Sequence, residues 1–300
     1  MMRPMFTGFS ETEIATPRGP VHARVGGDGP PLLLLHGFPQ SHLMWHPVAP
    51  GLAERFTVVA ADLPGYGDSF RPPVTDDHAG HSKRALAADL VAAMAALGHE
   101  RYAVAGHDRG GRVAYRMALD HPGVVTRLAV LDIVPTGEVW RRGNWLLALG
   151  YWHWGFLAQP APLPERLILG DPDGFWIAGG RMGLKPGDPR YPDDVIDAYR
   201  RQLDDPAFVT AMCEDYRAGA TVDREHDDAD RGTRTIACQV RSLWGGAGAL
   251  PVFYPDPLEP WREYAPGLTG RAVEGASHFL VEDAPEEVGA DLAAFFTRQE

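Results

Sequence analysis

Two apolar patterns alternate along this chain. Short, nearly continuous apolar runs at 21–25, 31–36, 57–62, 102–105, 127–131, 236–244 and 271–274 are bounded by Gly, Pro, Asp or Ser, and they predict strands. Between them, 82–97, 113–121 and 285–298 carry apolar residues at helical spacing, the first behind a Ser cap. The leucine run at 31–36 suits a strand covered on both faces. Strands alternating with helices in this way predict an α/β fold, a mainly parallel sheet with helices on both sides. From 133 to 234 the rhythm stops and Trp-rich and Pro-rich stretches take over, which predicts a mostly helical cap inserted into a core made of 1–132 and 235–300. Within that cap the charge-rich 226–231 predicts a solvated loop.

At Val104-Ala105-Gly106-His107-Asp108-Arg109-Gly110-Gly111-Arg112 a predicted strand passes through a turn into a helix, with small residues two positions to either side of Asp108. That spacing matches the nucleophile elbow of α/β-hydrolases, in which a tight turn lifts one side chain above the sheet. A serine there attacks an acyl carbon. A carboxylate is better suited to an sp³ carbon carrying a leaving group, and it forms an alkyl ester that water must then cleave. No G-x-S-x-G occurs, so serine hydrolysis is excluded.

Asp108, Asp132 and His278 each follow a predicted strand, in the order nucleophile, acid, histidine. His278 stands in a short loop before the last helix, the expected place of a general base that activates water. The glycine-rich loop at 245–249 offers no carboxylate and Asp256 lies further on, so Asp132 is the preferred acid. The loop His36-Gly37-Phe38-Pro39 can turn the Phe38 N–H toward the reacting centre, where it would form an oxyanion hole with the N–H of Arg109. His42 and His46 sit one helical turn apart without the glutamate or third ligand of a zinc motif, so neither a metal nor a cofactor is expected.

The net charge of -12 and the lack of a basic patch exclude a nucleic-acid partner. No apolar segment of membrane-span or signal-peptide length is present, which predicts a soluble, cytoplasmic protein without a membrane partner. The two cysteines, Cys213 and Cys238, predict buried thiols and no disulfide framework.

Several motifs together resemble the haloacetate dehalogenases, above all their fluoroacetate branch. They are His36-Gly37-Phe38-Pro39-Gln40, Asp62-Leu63-Pro64-Gly65-Tyr66-Gly67, His107-Asp108-Arg109-Gly110-Gly111-Arg112, Leu131-Asp132-Ile133, His153-Trp154 with the proline-rich stretch after it, and Ser277-His278. The resemblance implies an α/β-hydrolase fold and hydrolytic dehalogenation of a short 2-haloacid, fluoroacetate to glycolate first. It implies that Arg109 and Arg112 hold the substrate carboxylate, that His153, Trp154 and Tyr216 solvate the departing halide, and that the chain forms a homodimer. The segment 170–192 follows the family loosely. Two alternatives stay open: an epoxide hydrolase, which would use paired cap tyrosines and not need Arg112, and a receptor that keeps the pocket without turnover.

Overall fold

A computed structural model describes residues 5–180, 184 and 187–297. Eight strands, β1 (Phe9–Ile14), β2 (Val21–Gly26), β3 (Pro31–Leu35), β4 (Thr57–Ala61), β5 (Tyr102–His107), β6 (Val125–Leu131), β7 (Gln239–Gly245) and β8 (Thr269–Val273), form one sheet in the order β1-β2-β4-β3-β5-β6-β7-β8. β2 pairs antiparallel with β1 and β4, and every other neighbouring pair is parallel. The leucines of β3 explain the doubly covered sheet. Leu33 and Leu35 join the core on one face while Leu32 and Leu34 join the core on the other. β1 is absent from the predicted strands because this edge strand, with the sequence FSETEI, keeps most of its side chains at least partly in water and so carries little apolar signal.

The helix Lys83–Ala96 starts as predicted, with the Ser82 hydroxyl accepting the N–H of Ala85. The helix after β5 runs Asp108–Asp120 and so begins several residues before the predicted 113. Gly110 and Gly111 weaken the helical signal there, yet the turn requires small residues. A Cβ on Gly106 would lie 2.4 Å from the Gly110 carbonyl oxygen, and one on Gly110 would lie 2.3 Å from that of His36.

Among the described residues, the chain between β6 and β7 contains helices and no strand, including Thr136–Arg141, Trp145–Gly150, Trp152–Leu157, Leu163–Gly170, Asp193–Arg201 and Pro206–Ala220. The expected solvated loop at 226–231 is corrected in part: Val222–Asp230 is a helix, with Asp227 and Asp230 buried while Asp228 and Ala229 stay exposed. Asp227 accepts the Tyr115 hydroxyl at 2.7 Å and the Gly137 N–H at 2.8 Å, and Asp230 pairs with Arg116 at 2.5 Å. Charge in sequence reads as solvation, but here buried partners from elsewhere in the chain neutralise it. Cys213 is buried and Cys238 only half-buried, so the second thiol departs from expectation; both are free. The final helix spans Pro285–Thr297, its predicted end Arg298 lying outside the described residues. No helix among the described residues is long and apolar enough to cross a membrane.

Candidate active site

Three strand ends assemble the site. Asp108 follows β5 with φ of 46°, and Asp132 follows β6 with φ of 52°, both in the left-handed region that a non-glycine residue occupies only when its surroundings hold it there. His278 lies in the loop after β8. Its Nδ1 is 2.6 Å from Asp132 Oδ2, while Asp132 Oδ1 accepts the Gly245 N–H at 2.9 Å. The acid therefore both orients the imidazole and is itself fixed. Asp256 takes no part, since it sits at the surface with Arg262.

The loop after β3 reaches Asp108 directly. The Phe38 N–H donates to Asp108 Oδ1 at 2.9 Å, and the approach needs Gly37, because a Cβ there would lie 2.4 Å from that of Asp108. The Arg109 amide lies in the first turn of its helix, where N–H groups have no acceptor within the helix. Burial works against the Asp108 carboxylate. The charges of His278, Arg112, His107 and Arg109 outweigh it, and the group is held at about 2, ionised at any working pH.

Asp108, Asp132 and His278 line a cavity together with Phe38, Arg112, Tyr151, His153, Trp154 and Tyr216. It is tight, with about 10 Å³ of free volume, near the limit for one water molecule. Tyr151, His153 and His278 also border a larger cavity of about 330 Å³, lined mostly by small residues such as Gly150, Ala178, Ala247 and Ser277. The polar lining of the small cavity is underemployed. Among the described residues the ring nitrogens of His153, the indole N–H of Trp154 and the hydroxyls of Tyr151 and Tyr216 have no hydrogen-bond partner in the protein, and His278 Nε2 has none either. Buried polar groups are normally satisfied, so such a cluster of free donors around one carboxylate describes a ligand rich in acceptors. Burial keeps His153 neutral, at about 3, so its ring offers one N–H, and it raises both phenols, so His153, Trp154, Tyr151 and Tyr216 can each donate one hydrogen bond without carrying charge.

The two arginines behave differently, and this departs from expectation. Arg112, 3% exposed, donates only to the Val134 carbonyl and the Thr136 hydroxyl, stacks over Trp154 at 4.6 Å, and has no carboxylate partner among the described residues. Arg109 is already paired. Its Nε is 2.5 Å from Asp215 Oδ2 and its Nη2 is 2.8 Å from the Asp215 carbonyl, while Asp215 also takes Lys83 at 2.5 Å. Arg109 is not among the residues lining the cavity; its guanidinium lies over the Tyr216 ring at 4.2 Å and keeps only Nη1 unpartnered. The spacing of 109 and 112 set both on one helix but could not reveal a counterion 106 residues later. Arg109→Leu is therefore expected to lower stability by about 3–5 kcal/mol, because it strands Asp215 in a buried network. Arg112→Leu should cost less, about 1–3 kcal/mol, since the acceptors it strands at Val134 and Thr136 are neutral and it has no ion pair of its own among the described residues. Denaturant midpoints of the two variants check the contrast.

Other residues were not legible in the sequence. His107 Nε2 donates to the His278 carbonyl at 2.9 Å and so steadies His278. Gln40 Nε2 bonds both oxygens of Glu282, at 2.9 and 2.7 Å, tying the loop after β3 to the segment that follows His278. The histidine pair weighed as a metal site separates: His46 Nδ1 bonds the Leu43 carbonyl, whereas His42 joins His22 and Asp62. In that group Asp62 accepts from His22 at 3.0 Å and His42 at 2.9 Å. The Asp62 hydrogen bond, against burial, lifts His22 to about 9, and His22 Nε2 also meets Glu11 at 3.1 Å.

Comparison with known proteins agrees with this architecture. The family model described as alpha/beta hydrolase fold matches residues 30–164. Fluoroacetate dehalogenase of Burkholderia sp is 42% identical over 98% of this chain and 95% of its own length, and a soluble epoxide hydrolase of Corynebacterium sp. (strain C12) is 32% identical over 92% and 93%. A crystal structure from Nostoc sp PCC 7120, assigned to the α/β hydrolases, superimposes with a TM-score of 0.94 at 45% identity and covers 98% of this chain and all of that one. A carboxylate at the elbow, an acid and histidine behind it and near full-length identity lead to one assignment: this chain is a hydrolase of the α/β-hydrolase family, in the group that includes fluoroacetate dehalogenase.

Proposed function

We propose that the protein hydrolyses the carbon–halogen bond of short 2-haloacids, with fluoroacetate as the preferred substrate and glycolate and fluoride as products. The observation that carries this is Arg112: a buried cation on the cavity wall beside Asp108, without a carboxylate of its own among the described residues. Two anions brought to about 4 Å repel by about 4 kcal/mol at an effective dielectric near 20, roughly a thousandfold in rate. Arg112 offsets that repulsion by holding the substrate carboxylate. Arg109, sharing its charge with Asp215, backs it from behind Tyr216.

Asp108 then displaces halide from the α carbon in line. His153, Trp154 and Tyr216 supply an imidazole, an indole and a phenol donor to the departing ion, which replaces its water in a tight pocket. His278 deprotonates water for attack on the Asp108 ester carbonyl, and the N–H groups of Phe38 and Arg109 stabilise the oxyanion. The helical segment 133–234 acts as a cap over this chemistry, no metal or cofactor is needed, and the cytoplasm is the expected setting.

A screen of halide release over fluoro-, chloro- and bromoacetate and the 2-halopropionates tests the assignment. In it, Arg112→Leu is expected to lower kcat/KM about a thousandfold; a loss under tenfold would remove the carboxylate role. The pH profile has a definite sign. Burial opposes the charged imidazolium, but the hydrogen bond and charge of Asp132 outweigh it and raise His278 above its ordinary 6.5. Because the base must be neutral, turnover should climb as pH rises through that raised value. A profile flat from about pH 6 to about 9 would contradict it.

The same segment exposes Trp145, Leu149, Leu163, Leu167 and Ile177, each at least half in water. A homodimer is proposed on that surface. Light scattering should give twice the 32.7 kDa of the chain, and replacing Leu163 and Leu167 by aspartate should halve it.

A further inference from the structure

Fluoride departure needs donors, but it does not need two phenols. Tyr151 and Tyr216 both line the cavity around Asp108, both are at most 9% exposed, and neither hydroxyl has a partner among the described residues. They stand on separate segments, Tyr151 just before the helix Trp152–Leu157 and Tyr216 within Pro206–Ala220, and each lies about 6 Å ring to ring from both His153 and Trp154. Halide, a weak base, leaves with hydrogen bonds alone. An alkoxide is a far stronger base and leaves readily only if it takes a proton, which an indole N–H does not give up and a phenol can.

We propose that the same cavity opens short 2,3-epoxy acids, of which glycidate (oxirane-2-carboxylate) is the simplest. Arg112 disfavours the neutral epoxides that a pair of phenols alone would admit, because a neutral ligand displaces water from that buried cation and offers no charge in its place. Glycidate presents the features of a 2-haloacid in one molecule: a carboxylate for Arg112, an α carbon for Asp108, and a leaving atom on that carbon. It is one non-hydrogen atom larger than fluoroacetate. Tyr151, His153 and His278 border both the tight cavity and the 330 Å³ one, so the extra atom has space beside the wall these three share.

The steps balance. Asp108 attacks the α carbon, the α carbon–oxygen bond of the ring breaks, and the oxygen, still held on the β carbon, takes the proton of a tyrosine. This leaves a hydroxymethyl-substituted ester on Asp108 and a tyrosinate. His278 deprotonates water, the hydroxide adds to the Asp108 carbonyl, and the α oxygen leaves with the proton from His278. The new Asp108 carboxylic acid ionises and its proton restores the tyrosine, so the sum is glycidate plus water to glycerate. Burial lifts both phenols well above ten, which keeps them protonated until the alkoxide forms.

The inference rests on the haloacid assignment of this cavity, and the experiment separates the two. Purified protein is given fluoroacetate, racemic glycidate and propylene oxide in parallel, with fluoride, glycerate and propanediol measured. The expected result is fluoride from the first, glycerate from the second, and at least a hundredfold slower turnover of the third. Tyr151→Phe should lower glycidate turnover at least tenfold more than it lowers fluoride release. Fluoride without glycerate overturns the inference and leaves the dehalogenase assignment standing. Neither product overturns both, propylene oxide turned over as fast as glycidate overturns the selectivity for acids, and equal losses on the two acids in Tyr151→Phe overturn the role of that phenol.

Discussion

Asp108→Asn is expected to abolish halide release, a fall of about a millionfold, the scale on which loss of a covalent nucleophile is felt. The substitution isolates chemistry from structure. Asparagine tolerates the positive φ of 46° at this turn better than almost any other residue, and its amide oxygen can still accept the Phe38 N–H, so the elbow keeps its shape. What disappears is the negative charge and the nucleophilic oxygen. A fluoride electrode reads the activity and thermal unfolding reads the fold. Retention of even a hundredth of the rate in a folded variant would show that water, not Asp108, attacks the substrate.

His278→Asn should stall the cycle later. The ester forms because its formation does not involve His278, but without a base the water step slows by about ten-thousandfold at most. The shorter amide can still donate toward Asp132 Oδ2, which limits the damage of leaving that buried carboxylate alone. Intact mass spectrometry after incubation with fluoroacetate should show a protein heavier by one carboxymethyl group, and peptide mapping should place it on Asp108. A variant that turns over without accumulating ester would remove the base from His278. The two variants together order the steps, since Asp108→Asn in the His278→Asn background should carry no adduct.

The parts of the site that sequence made legible are those governed by local sterics. Glycines at 106 and 110 are required by backbone atoms only 2.3–2.4 Å from where a side chain would begin, so a bend at Asp108 is written into nine consecutive residues. The order Asp108, Asp132, His278 follows from strand ends that apolar patterning locates to within a few residues, and parallel pairing of β5, β6 and β7 then sets Asp108 and Asp132 side by side. His153, Trp154 and Tyr216 came from resemblance alone, and the fold brings all three to one cavity.

What the sequence could not supply is which charge meets which. Arg109 and Arg112 look equivalent along a helix, but a residue's counterion is chosen by packing across the whole chain, and Asp215 takes one of them and not the other. The acidic stretch 226–231 looked solvated until Tyr115, Gly137 and Arg116 proved to be its partners. Tyr151 carried no motif, and only the tertiary structure sets it on the cavity wall with Asp108. Sequence by itself determined the strand–turn–helix that raises a carboxylate, because that depends on neighbours in the chain. The tertiary structure decided which cation and which phenols that carboxylate faces, because burial and pairing depend on neighbours in space.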